Sequence, residues 1–339
     1  MNVATRDIPD PRLVDTFGRV ATDLRVSLTD KCNLRCSYCM PAEGLDWLPK
    51  PELLTDDEVI RLMRVAVEQL GVREVRFTGG EPLLRPGVVG IVAATTALRP
   101  RPEVSLTTNG IGLARTAEAL AAAGLDRVNV SLDTLDAERF RTITRRDRLS
   151  DVLAGMRAAA AAGLTPVKVN AVLLRGVNDG DAVSLLEYCL QHGYELRIIE
   201  QMPLDAQHAW DRTTMITAEE ILASLRTGFN LTEDPTERGA SPAETWLVDG
   251  GPARVGVIAS VTRAFCGTCD RTRLTADGQI RNCLFARDES DLRTALRSGG
   301  SDEELADRWR LAMWGKLPGH GINDPSFLQP VRPMSSIGG

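Results

Sequence analysis

Three thiols at C-x3-C-x2-C spacing, Cys32, Cys36 and Cys39, share one short stretch, Cys32-Asn33-Leu34-Arg35-Cys36-Ser37-Tyr38-Cys39-Met40-Pro41. Three thiolates on one loop can hold three irons of a 4Fe–4S cube and leave the fourth iron without a protein ligand. Such an open iron can bind a small molecule and pass it an electron. A structural zinc site closes instead with four N or S ligands, and the chain's histidines, His192, His208 and His320, all lie far along the sequence. Spacing alone leaves metal binding and coincidence both open. A second triad, Cys266, Cys269 and Cys283, has C-x2-C-x13-C spacing and again no fourth thiol. A zinc knuckle borrowing a distant His is the plainer alternative there. Between its thiols runs Asp270-Arg271-Thr272-Arg273-Leu274, a strand leading into the turn Thr275-Ala276-Asp277-Gly278. Arg271 and Arg273 alternate, so both point to one face. Two guanidiniums beside a metal site suit a polyphosphate; the alternative is a solvated face of exposed cations that add little to stability. The remaining thiol, Cys189, sits in a helix-patterned stretch and reads as core.

These groups need elements to hold them. Short apolar runs with β character recur at 24–29, 72–78, 103–108, 127–132, 166–174 and 195–200. Helical patterns lie between them. Thr55-Asp56-Asp57-Glu58 is a capping box followed by Val59, Ile60, Met63, Val67 and Leu70 at helical spacing. Segments near 112–123, 150–162 and 181–192 each stop at a glycine, Gly124, Gly163 or Gly193, as helix C-termini often do. Six βα units in succession imply a parallel sheet with right-handed crossovers. Beyond residue 203 the pattern changes. A second capping box, Thr217-Ala218-Glu219-Glu220, opens a helix, and two β-type runs at 245–248 and 253–260 flank Asp249-Gly250-Gly251-Pro252, a hairpin signal. The organisation expected is a mobile extension at 1–14, an α/β region at 15–216, whose sheet periodicity alone leaves open or rolled into a barrel, and a smaller α+β region at 217–339.

Several strand ends carry polar groups. Thr78-Gly79-Gly80-Glu81-Pro82 follows the second run, and paired glycines let a backbone approach a ligand closely. Thr107 with Asn109, Ser131 with Asp133, Lys168 with Asn170, and Arg197 with Met202 mark the later ends. Each alone could be a cap, but together they read as a ligand-lined barrel mouth. The net charge of −6 argues against a nucleic-acid coat or a polybasic anchor. No apolar run approaches a membrane span and residues 1–14 lack a signal-peptide core. Seven cysteines without a secretion signal point to a reducing cytoplasm.

The first triad, with an aromatic just before its third Cys, resembles the signature of the radical S-adenosylmethionine (SAM) enzymes. The stretch 24–41, the segment from Phe265 to Phe285 and the terminal Gly338-Gly339 together resemble the GTP 3′,8-cyclases of molybdenum cofactor biosynthesis, the MoaA family. The resemblance covers about residues 15–339. Departures are Lys31 in place of a frequent Arg and Asp270 in place of a frequent Asn, neither of them a ligand position. It implies a partial (βα)6 radical SAM barrel with sites at the carboxyl ends of the strands, and a C-terminal region carrying a second Fe–S cluster. The cofactors implied are two 4Fe–4S clusters, on Cys32, Cys36 and Cys39 and on Cys266, Cys269 and Cys283, with SAM as the source of a 5′-deoxyadenosyl radical. SAM contacts carry over to Tyr38, Gly80, Ser131 and Met202, and GTP contacts to Arg25, Arg76, Thr107, Lys168, Arg271, Thr272 and Arg273. Arg197 and Asn170 are second candidates. Arg271 and Arg273, with the three cysteines of the SAM loop, are the implied catalytic set.

The activity implied is a lyase that abstracts hydrogen from C3′ of GTP and joins C3′ to C8 of guanine. The second cluster's open iron would bind the guanine, and the Gly-Gly tail would reach into the site. The expected partners are a flavodoxin- or ferredoxin-type electron donor and cyclic pyranopterin monophosphate synthase downstream, with a homodimer compatible. No nucleic acid or membrane is expected. Two rival readings are another radical SAM enzyme with an auxiliary cluster, such as a peptide maturase, and a non-enzymatic zinc module.

Overall fold

The computed structural model describes residues 10–338, so Gly339 and residues 1–9 of the expected extension lie outside the described residues. The six recurring runs form β1 (Asp23–Ser27), β2 (Glu74–Thr78), β3 (Glu103–Thr108), β4 (Arg127–Ser131), β5 (Lys168–Val172) and β6 (Glu195–Ile199), each parallel to the next. Alternation sorts their side chains. Val26, Phe77, Leu106, Val130, Val169 and Ile198 are wholly buried beneath the helical layer, and the opposite face carries the polar positions. Both capping boxes form: Thr55 and Glu58 satisfy each other's backbone N–H at the start of helix Asp56–Arg64, and Thr217 and Glu220 do so for helix Ala218–Leu225. Gly124, Gly163 and Gly193 take up positive φ just past helices Leu113–Ala122, Leu149–Ala161 and Ala182–His192.

The later strands are β7 (Leu231–Glu233), β8 (Glu244–Val248), β9 (Arg254–Ile258), β10 (Arg271–Leu274), β11 (Gln279–Arg281) and β12 (Ser290–Asp291). They join the same sheet, whose order is β12-β11-β10-β1-β2-β3-β4-β5-β6-β9-β8-β7. The region after 217 is therefore not a body set beside the barrel. It adds the parallel strand β10 against β1 and the parallel strand β9 against β6, and antiparallel strands beyond each. A change of hydrophobic pattern marked the point, but pattern carries no information about which edges later strands will choose. The hairpin expected at 249–252 joins β8 to β9. Glu200, at the end of β6, fastens the two parts. Its buried carboxylate accepts the backbone N–H groups of Ala218 (2.7 Å), Val261 (2.8 Å) and Thr262 (2.9 Å).

Residues 10–14 are packed, which corrects the expectation of a free extension for the part described. Leu13 is fully buried in the main core, its carbonyl accepts Ala21 N–H at 2.8 Å, and Val14 bridges Val20. Arg310 donates to Pro11 O at 2.7 Å. The apolar side chain of Leu13, between Pro11 and Asp15, decides the outcome. Among the described residues no helix is long and apolar enough to cross a membrane. Leu13→Ala is expected to destabilise the cluster-free chain by about 2–5 kcal/mol, the usual range for a buried leucine. Chemical denaturation checks this, and a change below about 0.5 kcal/mol would return residues 10–14 to the status of a tail.

Candidate active site

At the carboxyl ends of the strands lies a chamber of two lobes that share Thr107, Asn170, Ile199, Met202 and Met334 as a common wall. The lobes hold about 230 and about 150 Å³ of cavity volume.

The first lobe is lined by Cys32, Cys36 and Cys39, together with Tyr38, Gly80, Ser131 and Met202. All four residues carried over as SAM contacts are thus brought to the thiol triad. Gly79 and Gly80 also permit a close approach within the chain. A Cβ on Gly79 would lie 2.3 Å from Thr29 O, and one on Gly80 would lie 2.3 Å from Lys31 O. The close approach they permit is to the backbone leading into the thiol loop, tied by Gly80 N–H to Thr29 O and Glu81 N–H to Lys31 O, both at 2.7 Å. Glu81 then braces the next turn. Its buried carboxylate accepts Thr108 O–H and Asn109 N–H at 2.7 Å each, and burial raises it to about 7. Asn109 in turn donates to Asn33 Oδ1 (2.7 Å) and towards Cys32 Sγ (3.8 Å). Tyr38 is held by its hydroxyl on Asp133 Oδ2 at 2.8 Å, while Val172 N–H donates to Asp133 Oδ1 at 2.8 Å; burial raises Asp133 to about 6.

Burial pushes Cys39 up to about 12 and Cys36 well above its usual range; the sulfur of Cys32 raises both further, and that of Cys39 adds to Cys36. Ionising them together requires a cationic occupant, which suits an Fe–S cluster. Among the described residues no three His, Cys, Asp or Glu side chains could hold one metal ion between them. A cube that takes one thiolate per iron needs no such convergence.

The second lobe carries Cys266, Cys269 and Cys283. Burial would raise Cys269, but Lys316 and Arg271 pull it below its usual value. Lys316 Nζ stands 3.4 Å from that sulfur and also donates to Cys269 O (3.2 Å) and Arg271 O (2.9 Å). A stabilised thiolate is what a cluster ligand requires. Arg19 anchors the loop through Cys266 O at 2.7 Å. The distant His that could complete a zinc knuckle is committed elsewhere. His320 lines the lobe, yet its Nε2 meets Ser260 O at 3.1 Å and its Nδ1 accepts Ile322 N–H at 3.1 Å.

The same lobe holds Arg25, Arg76, Arg197, Arg271 and Arg273; among the described residues no carboxylate lines it. Register places Arg273, Arg25 and Arg76 side by side on β10, β1 and β2. Below them, Asp23 pairs with Arg25 (3.1 Å) and lies 3.6 Å from Arg271. Burial alone would raise Asp23, but Arg25 and Arg76 hold it well below the usual carboxylate range. Arg76 has only Ser105 Oγ at 3.3 Å, and burial with Arg25 beside it lowers its pKa strongly. Burial likewise lowers Arg273 to about 9 and Arg197 to about 10. Arg271 and Arg273 are therefore not the exposed cations of a solvated face: they are 7% and 5% exposed. Arg271 donates to Ala240 O and lies over the Phe265 ring, and Arg273 donates to Gly338 O. The tail itself is seated between β1 and β2, where a Cβ on Gly338 would meet Thr78 Oγ1 at 2.5 Å and Ser27 Oγ at 2.8 Å.

Two carried-over residues do not line the lobe. Thr272 points to the other face of β10, its hydroxyl accepting Trp309 Nε1–H at 3.0 Å in the core. Lys168 sits deeper, 3.4 Å from Glu195. Cys189 is buried in the core as expected. Lys316, Arg19 and Asp23 escaped sequence reasoning, since no local spacing ties them to either triad. Asp133 and Asn109 were visible only as polar strand ends.

Comparison with known proteins places this geometry in context. Residues 26–189 match the Radical SAM superfamily and residues 194–322 match Molybdenum Cofactor Synthesis C. The chain is 70% identical over 328 residues to a GTP 3′,8-cyclase of Streptomyces coelicolor, covering 96% of each chain. It is 63% identical over 346 residues to GTP 3′,8-cyclase 2 of Mycobacterium tuberculosis, covering 99% of this chain and 96% of that one. Among solved structures, Streptococcus suis SuiB bound to S-adenosylmethionine superposes with a TM-score of 0.58 at 15% identity, over 89% of this chain and 67% of that chain. That likeness is one of fold. Identity near two-thirds along the whole length decides the family, and sets aside the peptide-maturase and zinc-module readings: the chain belongs to the GTP 3′,8-cyclase family of radical SAM proteins.

Proposed function

We propose that the chain converts GTP to (8S)-3′,8-cyclo-7,8-dihydroguanosine 5′-triphosphate, the first step of molybdenum cofactor biosynthesis. The observation that carries this reading is the chamber itself: a thiol-triad lobe joined through one wall to a lobe with four buried arginines, a fifth half-buried one and a second thiol triad. Membership of the radical SAM superfamily brings a 4Fe–4S cluster and SAM. Cys32, Cys36 and Cys39 would hold that cluster, which when bound supplies the electron that releases a 5′-deoxyadenosyl radical from SAM. Tyr38, Gly80, Ser131 and Met202 would seat SAM, with Asp133 fixing Tyr38. Cys266, Cys269 and Cys283 would hold a second cluster facing the guanine.

Arg25, Arg76, Arg271 and Arg273 would take the triphosphate, in a lobe that no carboxylate lines among the described residues. Charge-assisted hydrogen bonds of this kind are the strong ones. Thr107 would meet the nucleotide from the shared wall, Lys168 would add charge from below, and Thr272 would support the strand through Trp309. The chain's work is then to keep water out and to hold C3′–H of the ribose against the 5′ carbon of the deoxyadenosyl group. A one-electron donor protein and an enzyme that rearranges the cyclised nucleotide to a pyranopterin complete the reading.

Product analysis tests it. The anaerobically reconstituted chain, given SAM, a reductant and GTP deuterated at C3′, is expected to form the cyclised nucleotide and to place deuterium in 5′-deoxyadenosine. Cys283→Ala is expected to keep some SAM cleavage and to form no cyclised nucleotide. SAM cleavage by wild type without any nucleotide product would contradict the proposal.

A second outcome follows from the unpaired guanidiniums. Arg76→Met is expected to weaken GTP binding by about 1.5–3 kcal/mol, the scale of hydrogen bonds to charged groups. The same change is expected to leave the ligand-free chain as stable as wild type or more so, because it removes a buried charge that repels Arg25. Binding titration and denaturation read the two effects, and a loss of stability with unchanged GTP affinity would make Arg76 a structural residue.

A further inference from the structure

Asn170 stands on β5 between Ser131 of β4 and Arg197 of β6 in register, and it lines both lobes of the chamber. Its amide makes no hydrogen bond among the described residues, and its Oδ1 is shut off from solvent without a partner. On the shared wall, Thr107 Oγ1 already accepts from Asn129 Nδ2 at 3.2 Å. The rest of the shared wall, Ile199, Met202 and Met334, is apolar. The point where the lobes meet thus presents one uncommitted amide, able to donate and to accept. Buried polar groups are rarely left unpaired, so this one calls for a ligand group that itself both donates and accepts.

We infer that Asn170 is a specificity-determining residue that hydrogen-bonds a ribose hydroxyl of the nucleotide substrate where the two lobes meet. The inference rests on the function proposed above and refines it. Two nucleosidic ligands that react sugar to sugar must bring their riboses together at the shared wall. The triphosphate extends towards the arginines and the base towards the second triad. A ribose hydroxyl is the complementary group, since it both donates and accepts. The five arginines then select for phosphate, and Asn170 selects for ribose over deoxyribose.

The test is a binding titration on the full chain with GTP, 2′-deoxy-GTP, 3′-deoxy-GTP and, separately, SAM. It uses wild type, Asn170→Ala and Asn170→Leu, the last close to asparagine in size. Wild type is expected to bind at least one deoxy analogue about five- to tenfold more weakly than GTP, the worth of one such hydrogen bond. Each variant is expected to bind GTP as weakly as wild type binds that analogue, to lose the discrimination, and to bind SAM as before. A residue that merely supported β5 would lower affinity for all three nucleotides by a common factor and leave their ratios intact. Retained discrimination in whichever variants fold would overturn the assignment, as would a wild type that never discriminates or a loss confined to SAM. Wild type that binds no GTP would overturn the proposed function along with it, so the two failures are distinguishable.

Discussion

Three arginines in register across three neighbouring parallel strands, Arg273, Arg25 and Arg76, set the terms for the rest of the chamber. Adjacent strands lie about 4.8 Å apart, and like charges placed opposite one another across a sheet are unfavourable. Two unit charges about 5 Å apart repel by roughly 3 kcal/mol at an effective dielectric constant of 20. The fold offsets part of this with Asp23, one pair further down, and with the carbonyl of Gly338. It leaves Arg76 and Arg197 without a carboxylate among the described residues. An arrangement so unfavourable without a ligand suits an anion, and the sheet continuity that brings β10 against β1 is what creates it.

The same continuity brings the two thiol triads to one chamber although more than 200 residues separate them. β10 carries the second triad's loop to the margin of β1, whose own end leads into the first. Each triad is tuned by different means. The first is buried under Asp133, Glu81 and the tail, so that its thiols resist ionising alone. The second borrows Lys316 and Arg271, which favour the thiolate. The arginines beside the second triad therefore answer to two anions at once, the sulfur of Cys269 and whatever fills the lobe.

Much of this was legible in the sequence. Six β runs, both capping boxes and the glycine stops appear where the periodicities place them, because burial against one helical layer forces the alternation. The triads declare themselves by spacing. Neighbour relations did not, because a period of two says that a run is a strand and nothing about its partners. Lys316 and Arg19 reach the second triad from elements with no motif of their own. Gly79 and Gly80 were visible as a close approach, yet only the fold shows that the approach is to the Thr29–Lys31 backbone. Thr272 is instructive in the other sense: the alternation that puts Arg271 and Arg273 on one face also turns Thr272 away, towards Trp309.

The surplus of buried positive charge can be probed without either cluster or any turnover. Thermal melting of the cluster-free chain with inorganic triphosphate, with guanosine, and with sulfate at matched ionic strength separates phosphate recognition from base recognition and from screening. A ligand bound only by the folded state raises stability by mass action. Triphosphate is expected to raise the melting temperature saturably, well beyond sulfate, while guanosine does far less, and Arg76→Met is expected to blunt the triphosphate effect. Equal stabilisation by sulfate and triphosphate, or none by either, would contradict an anion site built from these arginines.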